Sequence, residues 1–253
     1  MLRKRLIPIL LLENYSLVKT LNFKDPAYIG DPCNTIRIFN ELEVDELIIV
    51  DIKASIKNNP INYDVLKSIT DECFMPLCYG GGIKNVDDAK RVFDLGLEKI
   101  CLNTASLENP QIIKDIANIF GSQSLVISID VKKDIYGHYG VYSSSASKSV
   151  DVRLEDWVKK IEDLGAGEIL LTSIDHEGTW KGFDYKLLKE VIDNTILPVI
   201  AHGGCGSISH IEKCFELTDA SAVGLGSMVV YQKEGKGVLI NFPDQQDLNT
   251  IYA

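Results

Sequence analysis

The sequence has no excess of basic residues and no long apolar run. Its 26 lysines and arginines are outnumbered by 36 aspartates and glutamates, which gives a formal net charge of −10. Nucleic acids and anionic membranes are bound by clustered basic side chains, so neither is expected as a partner. No apolar stretch approaches the roughly 20 residues of a membrane-spanning helix.

The sequence also lacks a paired cysteine motif. Six cysteines occur, and none forms a C-x-x-C pair. This spacing predicts neither a zinc site nor a disulfide framework, and no metal or other cofactor is expected. Most of these cysteines are expected to be small buried hydrophobic residues.

The N-terminal stretch MLRKRLIPILLLENY faintly resembles a secretory signal peptide. Its apolar part is short, no small-residue cleavage site follows, and the pattern continues as a strand. We therefore expect a cytoplasmic protein.

Short apolar runs alternate with helical patterns along the 253 residues, a length that suits one large domain spanning residues 1–253. Near-continuous apolar runs are typical of parallel strands that are buried on both faces. The runs predict strands at residues 5–12, 46–51, 76–80, 98–103, 124–130, 168–173, 197–202 and 221–226.

Helices are predicted between these strands from their start and stop residues. Asp31-Pro32 opens one helix, whose inner stripe is Ile36, Phe39 and Leu42. A second predicted helix begins at Asn109-Pro110 and ends at Gly121. A third has an apolar stripe that includes Leu154 and Trp157 and ends at Gly165, and a fourth is capped by Ser207.

Eight successive βα units predict an α/β fold, a (β/α)8 TIM barrel, with a doubly wound open sheet as the rival. A faint internal repeat favours the barrel: PLCYGGGI at 76–83 recurs as PVIAHGGCGSI at 198–208. The offset is about 120 residues, so two half-barrels of four units are expected. This symmetry sets the first strand opposite the fifth and makes Leu11 the counterpart of Asp130.

Catalytic groups of such barrels lie at the C-terminal ends of the strands. Asp130 ends the fifth strand, where its carboxylate is suited to general acid or base catalysis. The alternative is a capping or salt-bridged aspartate. Leu11 cannot transfer a proton, so the two opposite positions differ in chemistry.

Glycines at three strand ends indicate phosphate binding: Gly80-Gly81-Gly82, Gly203-Gly204, and Gly224 to Ser227. Backbone N–H groups beside glycine can approach an oxyanion closely, and a following helix N-terminus adds a favourable dipole. Asn103 and Thr104 add side-chain donors, and Lys19, in a long loop over residues 13–32, is placed to close over one site. The alternatives are plain tight turns and a solvated lysine.

Charged residues stand at the beginning of four strands: Arg5, Glu46, Lys99 and Glu168. Because side chains alternate along a strand, Arg5 shares a face with Leu11, Lys99 with Asn103, and Glu168 with Thr172. We therefore expect two cations and two anions to ring the barrel floor, paired to tolerate burial. Such a ring is either a structural salt-bridge plug or a polar gate on a channel.

Several motifs together resemble the cyclase subunit of imidazole glycerol phosphate synthase over about residues 1–227. They are KRLIPILLLEN, DELIIVDI, KICLNTAS, ISIDVKK, LGAGEILLTSID and PVIAHGGCGS. The resemblance implies a (β/α)8 barrel paired with a separate glutaminase, whose ammonia passes through the barrel. There it reacts with a bis-phosphorylated ribulosyl substrate, giving imidazole glycerol phosphate and an aminoimidazole carboxamide ribotide.

The resemblance also implies roles for individual residues. Asp130 corresponds to one of two catalytic aspartates. The four floor residues match an ammonia gate. Positions that hold the substrate or its phosphates are matched by Lys19, Gly82, Asn103, Thr104, Thr172, Gly204 and Ser227.

The sequence departs from this family at specific positions. Leu11 replaces the first catalytic aspartate, and Glu13 lies two residues further on, in the loop. His202 stands where the family has a small hydroxyl residue, and the tail 228–253 lacks the usual amphipathic last helix. A divergent branch resembles the sequence more closely. Its barrel accompanies an amidotransferase that adds an amidino group to surface-glycan sugars.

Three functions are compatible with these residues. The first is an ammonia-handling barrel subunit, partnered with a glutaminase and serving a sugar amidotransferase. The second is an active cyclase-type lyase of histidine biosynthesis that tolerates Leu11. The third is a non-catalytic activator of the glutaminase.

Overall fold

The computed structural model describes residues 4–143 and 148–252. Its strands are β1 (Arg5–Glu13), β2 (Ser16–Leu21), β3 (Lys24–Gly30), β4 (Leu47–Asp51), β5 (Leu77–Gly80), β6 (Lys99–Leu102), β7 (Leu125–Lys133), β8 (Tyr139–Ser143), β9 (Lys148–Ser149), β10 (Glu168–Ser173), β11 (Val199–His202) and β12 (Ala222–Leu225). Eight of them match the predicted strands to within a few residues.

These eight strands form a closed parallel barrel in the order β1, β4, β5, β6, β7, β10, β11, β12. The ring closes where β12 pairs with β1 and where β7 pairs with β10. The (β/α)8 prediction is confirmed, and the open doubly wound sheet is excluded. Strands β1 and β7 are four places apart on the ring, which puts their C-terminal ends on opposite sides of the mouth.

The helices are α1 (Pro32–Glu41), α2 (Tyr63–Glu72), α3 (Val86–Phe93), α4 (Thr104–Glu108), α5 (Gln111–Phe120), α6 (Leu154–Asp163), α7 (Tyr185–Ile192), α8 (Ile208–Leu217), α9 (Ser227–Val230) and α10 (Gln245–Tyr252). Helix α1 begins as predicted: the Asp31 side chain accepts a hydrogen bond from the Asn34 N–H, and Pro32 is the first helical residue. Gly121 ends α5 with a φ of 86°, a conformation that favours glycine.

Two apolar layers hold the barrel together. The larger one lies between the strands and the surrounding helices. The smaller one fills the barrel interior and contains Ile7 and Ile9 of β1, Val126 of β7 and Leu170 of β10. Strand alternation places these residues on the same face as Arg5, Asp130 and Glu168, in agreement with the predicted strand orientation.

The prediction of a long loop over residues 13–32 is wrong. The chain there forms an antiparallel hairpin, in which β2 pairs with both β1 and β3. Asn22 and Phe23 connect the two strands with positive φ angles of 51° and 61°. A second antiparallel hairpin extends β7 through β8.

Three smaller predictions also need correction. Leu42 lies just beyond α1 and is 38% exposed, so it does not belong to the inner stripe. Ser207 occupies the N-cap position of α8, but its hydroxyl bonds Ser209 instead of capping the helix. The tail ends in helix α10, whose Leu248 and Ile251 pack against the core, although no such helix was predicted.

Within the described residues, no helix is both long and apolar enough to span a membrane. The same part of the chain contains no cluster of three or more histidine, cysteine or acidic side chains arranged to hold a metal ion.

Candidate functional site

The C-terminal ends of the barrel strands surround a cavity of about 180 Å³. Leu11 and Asp130 both line it, from opposite strands of the ring. The walls combine apolar residues such as Ile9 and Leu170 with a few polar side chains, which is the usual make-up of a small-molecule site. The Asp130 carboxylate and the Leu11 side chain thus face the same space from opposite sides.

Asp130 is 7% exposed and held by its neighbours. Asn103 Nδ2 donates to Asp130 Oδ2 at 3.1 Å and to the Ser128 carbonyl oxygen at 3.1 Å. The Ser128 hydroxyl lies 3.5 Å from Asp130 Oδ1. Asn103 therefore orients the carboxylate, a second role beside the predicted phosphate contact.

A row of polar side chains crosses three adjacent strands at the level of Asp130. In the strand register, Thr172 of β10 is the partner of both Asp130 and His202 of β11. The Thr172 hydroxyl and His202 Nδ1 are 3.0 Å apart. Burial, helped by the charge of nearby Lys19, lowers the pKa of His202 to about 3, so its imidazole is neutral at physiological pH.

The first predicted phosphate set lies together in the mouth. Gly82, Asn103 and Thr104 all line the cavity, and Gly82 has a φ of 74°. A Cβ at this position would make a tight contact of 3.1 Å with Ala54 Cβ, which adds to the conformational preference for glycine. Thr172 lines the same cavity.

The second predicted set is less open. Gly204 and Ser227 are both buried and, unlike their counterparts in the first set, do not line the cavity. His202 stands in the cavity wall immediately before the Gly203-Gly204 turn.

Lys19 lies in strand β2 and is 6% exposed, so it is neither in a loop nor solvated. Its ammonium forms an ion pair with Glu177 and donates to the Thr20 carbonyl oxygen at 2.8 Å. Glu177 also accepts from the Thr20 hydroxyl and the Phe23 N–H, both at 3.0 Å. The lysine is thus fixed at the mouth together with its counter-ion.

The four floor residues form a closed ring of ion pairs. Arg5 Nη1 donates to Glu46 at 2.8 Å, and its Nη2 donates to Glu168. Lys99 Nζ donates to Glu46 at 2.8 Å and to Glu168 at 3.1 Å. Burial alone would lower the pKa of Arg5 and of Lys99, but the two glutamates raise both above their ordinary values.

An apolar layer separates this ring from the mouth cavity. It consists of Ile7, Ile9, Ile48, Cys78, Cys101, Val126, Leu170, Ile200 and Ala222. Three of its members, Ile9, Cys101 and Leu170, also line the mouth cavity. The charged ring and the polar cavity therefore lie on opposite sides of an apolar layer.

Comparison with known proteins identifies the family of this chain. A family model described as "Histidine biosynthesis protein" matches residues 5–236. The chain belongs to the histidine biosynthesis protein family.

Relatives within the family match over nearly the whole chain. A Pseudomonas aeruginosa protein with the provisional name imidazole glycerol phosphate synthase subunit hisF2 is 47% identical, covering 98% of this chain and 99% of its own. A Leptospira borgpetersenii protein with a provisional HisF name is 44% identical over 100% of both chains. The Methanococcus vannielii imidazole glycerol phosphate synthase subunit HisF is 39% identical, covering 92% of this chain and 93% of its own.

In this member of the histidine biosynthesis protein family, two acidic residues of the mouth were not predicted from the sequence. Glu177 follows β10 by four residues and gives no local signal of its pairing with Lys19. Asp51 ends β4 and lines the cavity, and its Oδ1 accepts from the N–H groups of Lys53 and Ala54, both at 2.9 Å. Its position at the C-terminal end of a predicted strand could have identified Asp51 as a residue of the site. Burial raises the pKa of the Asp51 carboxyl, although these two hydrogen bonds oppose the rise.

Proposed function

We propose that this protein is the barrel subunit of a glutamine-dependent amidotransferase complex. A separate glutaminase supplies ammonia at the floor, and the barrel conducts it to the mouth. From the mouth, the nitrogen is used to form an amidino group on a sugar of a surface glycan. The observation that carries the proposal is the ring of Arg5, Glu46, Lys99 and Glu168 beneath an apolar interior.

The interior chemistry suits ammonia as the species conducted. Moving an unpaired ammonium ion into an apolar layer has a large desolvation cost, whereas neutral ammonia carries no charge into it. The ring residues pair fully with one another, so the floor is closed until at least one ion pair separates. We infer that docking of the glutaminase separates them and so acts as the gate.

The floor also has exposed apolar side chains that suit a protein partner. Phe74 precedes β5 and is 84% exposed, and Ile196 precedes β11 and is 88% exposed. Both segments enter their strands from the floor side. No motif of a glutaminase nucleophile occurs in the chain, so glutamine-dependent activity requires a partner. We expect the complex to act in the cytoplasm.

The residues at the barrel mouth favour use of the ammonia by another enzyme over closure of an imidazole ring in the mouth itself. Of the two residues that face each other at the ends of β1 and β7, Leu11 has no ionisable group and Asp130 is the carboxylate. The numbered names of relatives such as hisF2, and hisF3 in Vibrio vulnificus, fit a divergent paralogue. A sugar amidotransferase is the proposed consumer of the ammonia.

The second candidate function is the cyclase reaction of histidine biosynthesis. It is favoured by the presence of Asp130 beside Gly82, Asn103 and Thr104 in one cavity. In that case a phosphorylated substrate binds in the mouth and reacts there with the ammonia. A non-catalytic activator of the glutaminase is the third possibility, and it predicts no passage of ammonia.

The proposal is tested with the glutaminase encoded in the same genome. Co-expression should yield a stable complex, and adding the barrel should raise glutaminase turnover. Arg5→Ala should reduce this stimulation, whereas the control Lys159→Ala, at an exposed position of helix α6, should not. Unchanged glutaminase turnover on adding the wild-type barrel would refute the partnership.

Passage of ammonia is tested separately. The complex is supplied with ¹⁵N-amide glutamine and excess unlabelled ammonium, together with the sugar amidotransferase and its substrate. Preferential ¹⁵N in the amidino product supports conduction, because released ammonia would be diluted by the unlabelled pool. Full dilution, with stimulation of the glutaminase intact, would favour the activator function.

A further inference from the structure

A second cavity, here called the side cavity, lies next to the mouth cavity. Its volume is about 550 Å³, within the roughly 300–1,000 Å³ of small-molecule sites. Its walls come from the β1–β2 turn, the segment between β4 and α2, the start of α2, and α3, and they include Asn14, Tyr15, Asp51, Asn62, Asp64 and Arg91. The residues predicted to hold the substrate or its phosphates are all described by the structure and lie outside these walls.

Two polar side chains of the side cavity are fixed in place and still have free hydrogen-bonding groups. Asn62 Oδ1 accepts from the Val65 N–H at 3.2 Å, which leaves the Asn62 Nδ2 donors without a partner among the described residues. Asp51 Oδ1 accepts from two backbone N–H groups, both at 2.9 Å, and its Oδ2 has no hydrogen bond within the described part of the chain. The side cavity therefore has a positioned donor and a positioned acceptor.

Tyrosines add flat apolar surface to the same walls. Tyr15, in the β1–β2 turn, is 70% exposed. One face of the Tyr63 ring is covered by Arg91, whose guanidinium carbon lies 3.7 Å from the ring centroid. This cation–π contact restrains the guanidinium at the cavity wall. The N–H groups of Arg91 form no ion pair with the residues that the structure describes, so they remain available to a ligand.

These groups suit an uncharged ring that carries hydroxyl groups. Carboxylates only accept hydrogen bonds, the guanidinium only donates, and a hydroxyl can do both. An anion would be repelled by Asp51 and Asp64, and a cation would be repelled by Arg91. The C–H face of a sugar ring can pack on an aromatic side chain such as Tyr15.

We propose that the side cavity is a binding site for a neutral sugar. The inference rests on the proposed function for the source of this sugar, a surface glycan. Asp51 lines both the side cavity and the mouth cavity. A sugar in the side cavity therefore lies next to the space into which the ammonia is released.

Binding is tested by titrating the full chain with free sugars and recording ¹H–¹⁵N NMR spectra. The neutral probes are glucose, galactose and N-acetylglucosamine. Glucosamine and glucuronate are the charged counterparts, used at about pH 6, where an amine is protonated and a carboxyl group is ionised. At least one neutral probe should give saturable shifts of the backbone amides of Tyr15 and Asn62. Both charged probes should bind more weakly than that sugar.

Substitutions locate the bound sugar. Tyr15→Ala should weaken binding of the best neutral probe about threefold to tenfold, the loss expected for one aromatic contact. Arg91→Ala should weaken it as well. The matched control is Tyr28→Ala, because this tyrosine of β3 is 67% exposed and lies outside the side cavity. The control should bind as wild type does, and the spectrum of each variant shows whether it is folded.

Three results would overturn the proposal. The first is that no neutral probe binds. The second is that Tyr15→Ala and Arg91→Ala bind as tightly as wild type, or that binding is weakened only by Phe23→Ala, whose side chain lines the mouth cavity and not the side cavity. The third is tighter binding of glucosamine or glucuronate than of the neutral sugars, which would indicate a cation or an anion site.

These outcomes are independent of the ammonia experiments. Sugar binding is measured on the barrel alone, whereas stimulation and conduction are measured in the complex with the glutaminase. Loss of stimulation or conduction with intact sugar binding would reject the amidotransferase proposal and leave the side cavity as a sugar site. Intact conduction without sugar binding would reject the sugar site only.

Discussion

Leu11 and Asp130 face one cavity from opposite strands, and only Asp130 can transfer a proton. A reaction that needs an acid and a base on opposite sides of its substrate loses about 10²–10⁴-fold in rate when one is missing. We therefore expect negligible cyclase turnover with free ammonia for wild type. Leu11→Asp should raise it by up to that factor, and adding Asp130→Asn should abolish the gain. Strong wild-type turnover that depends on Asp130 would instead support the histidine-pathway function.

At Gly204, both the positive φ and the lack of room for a Cβ require glycine. Gly204 and Gly96 both have a φ of 100°, but a Cβ on Gly204 would stand 2.1 Å from the Gly182 carbonyl oxygen, whereas Gly96 has nothing within 4 Å. Gly96→Ala should lower the free energy of unfolding by about 1–2 kcal/mol, from backbone strain. Gly204→Ala should cost about 2 kcal/mol or more beyond that, because backbone must move. Equal losses in urea unfolding would show that the turn at Gly204 adapts easily.

At the scale of elements, the β2–β3 hairpin is attached to the mouth through Glu177. This carboxylate pairs with Lys19, and the Asn22 N–H donates to the Glu177 carbonyl oxygen at 2.9 Å. Glu177→Ala leaves the Lys19 charge buried and unpaired, which typically costs about 3–5 kcal/mol. We expect lower stability and faster proteolysis within the hairpin. Glu216→Ala, at an exposed position of α8, is the matched control. Unchanged hairpin proteolysis would mean that backbone pairing alone holds it.

At the scale of the whole molecule, the floor ring connects four strands spread around the barrel. Folded-state pKa values of Arg5 and Lys99 are raised, so their pairing stabilises the fold fully below the unfolded pKa, about 10.4 for lysine. That stabilisation is lost as the pH rises through the folded pKa. Lys99→Met should cost about 1–3 kcal/mol at neutral pH, since the ring is partly exposed. The difference from wild type should shrink above about pH 11.

Urea unfolding of wild type and Lys99→Met at neutral and strongly alkaline pH measures this change. Lys159→Met, on the exposed face of α6, should cost little at either pH. A penalty for Lys99→Met that is the same at both pH values would mean that packing of the lysine stem, and not its charge, stabilises the floor.

Local rules carried the sequence predictions that the structure confirms. Apolar runs and the residues that start and stop helices predicted the barrel, because both are local features of each strand or helix. Strand alternation predicted that Arg5 and Lys99 would meet Glu46 and Glu168. The β2–β3 hairpin was missed because its polar residues resemble a loop, and its contact with Glu177 spans 158 residues of sequence. The helix α10 was missed because its apolar stripe is short.

The sequence by itself determined which chemical groups stand at the floor and at the mouth, because a strand's period of two residues fixes which side chains point inward. The state of those groups was decided only by the tertiary structure. Lys19 is paired and not solvated, and His202 is neutral and not cationic. Both outcomes depend on burial and on charges brought close from distant parts of the chain, and no pattern of neighbouring residues encodes that proximity.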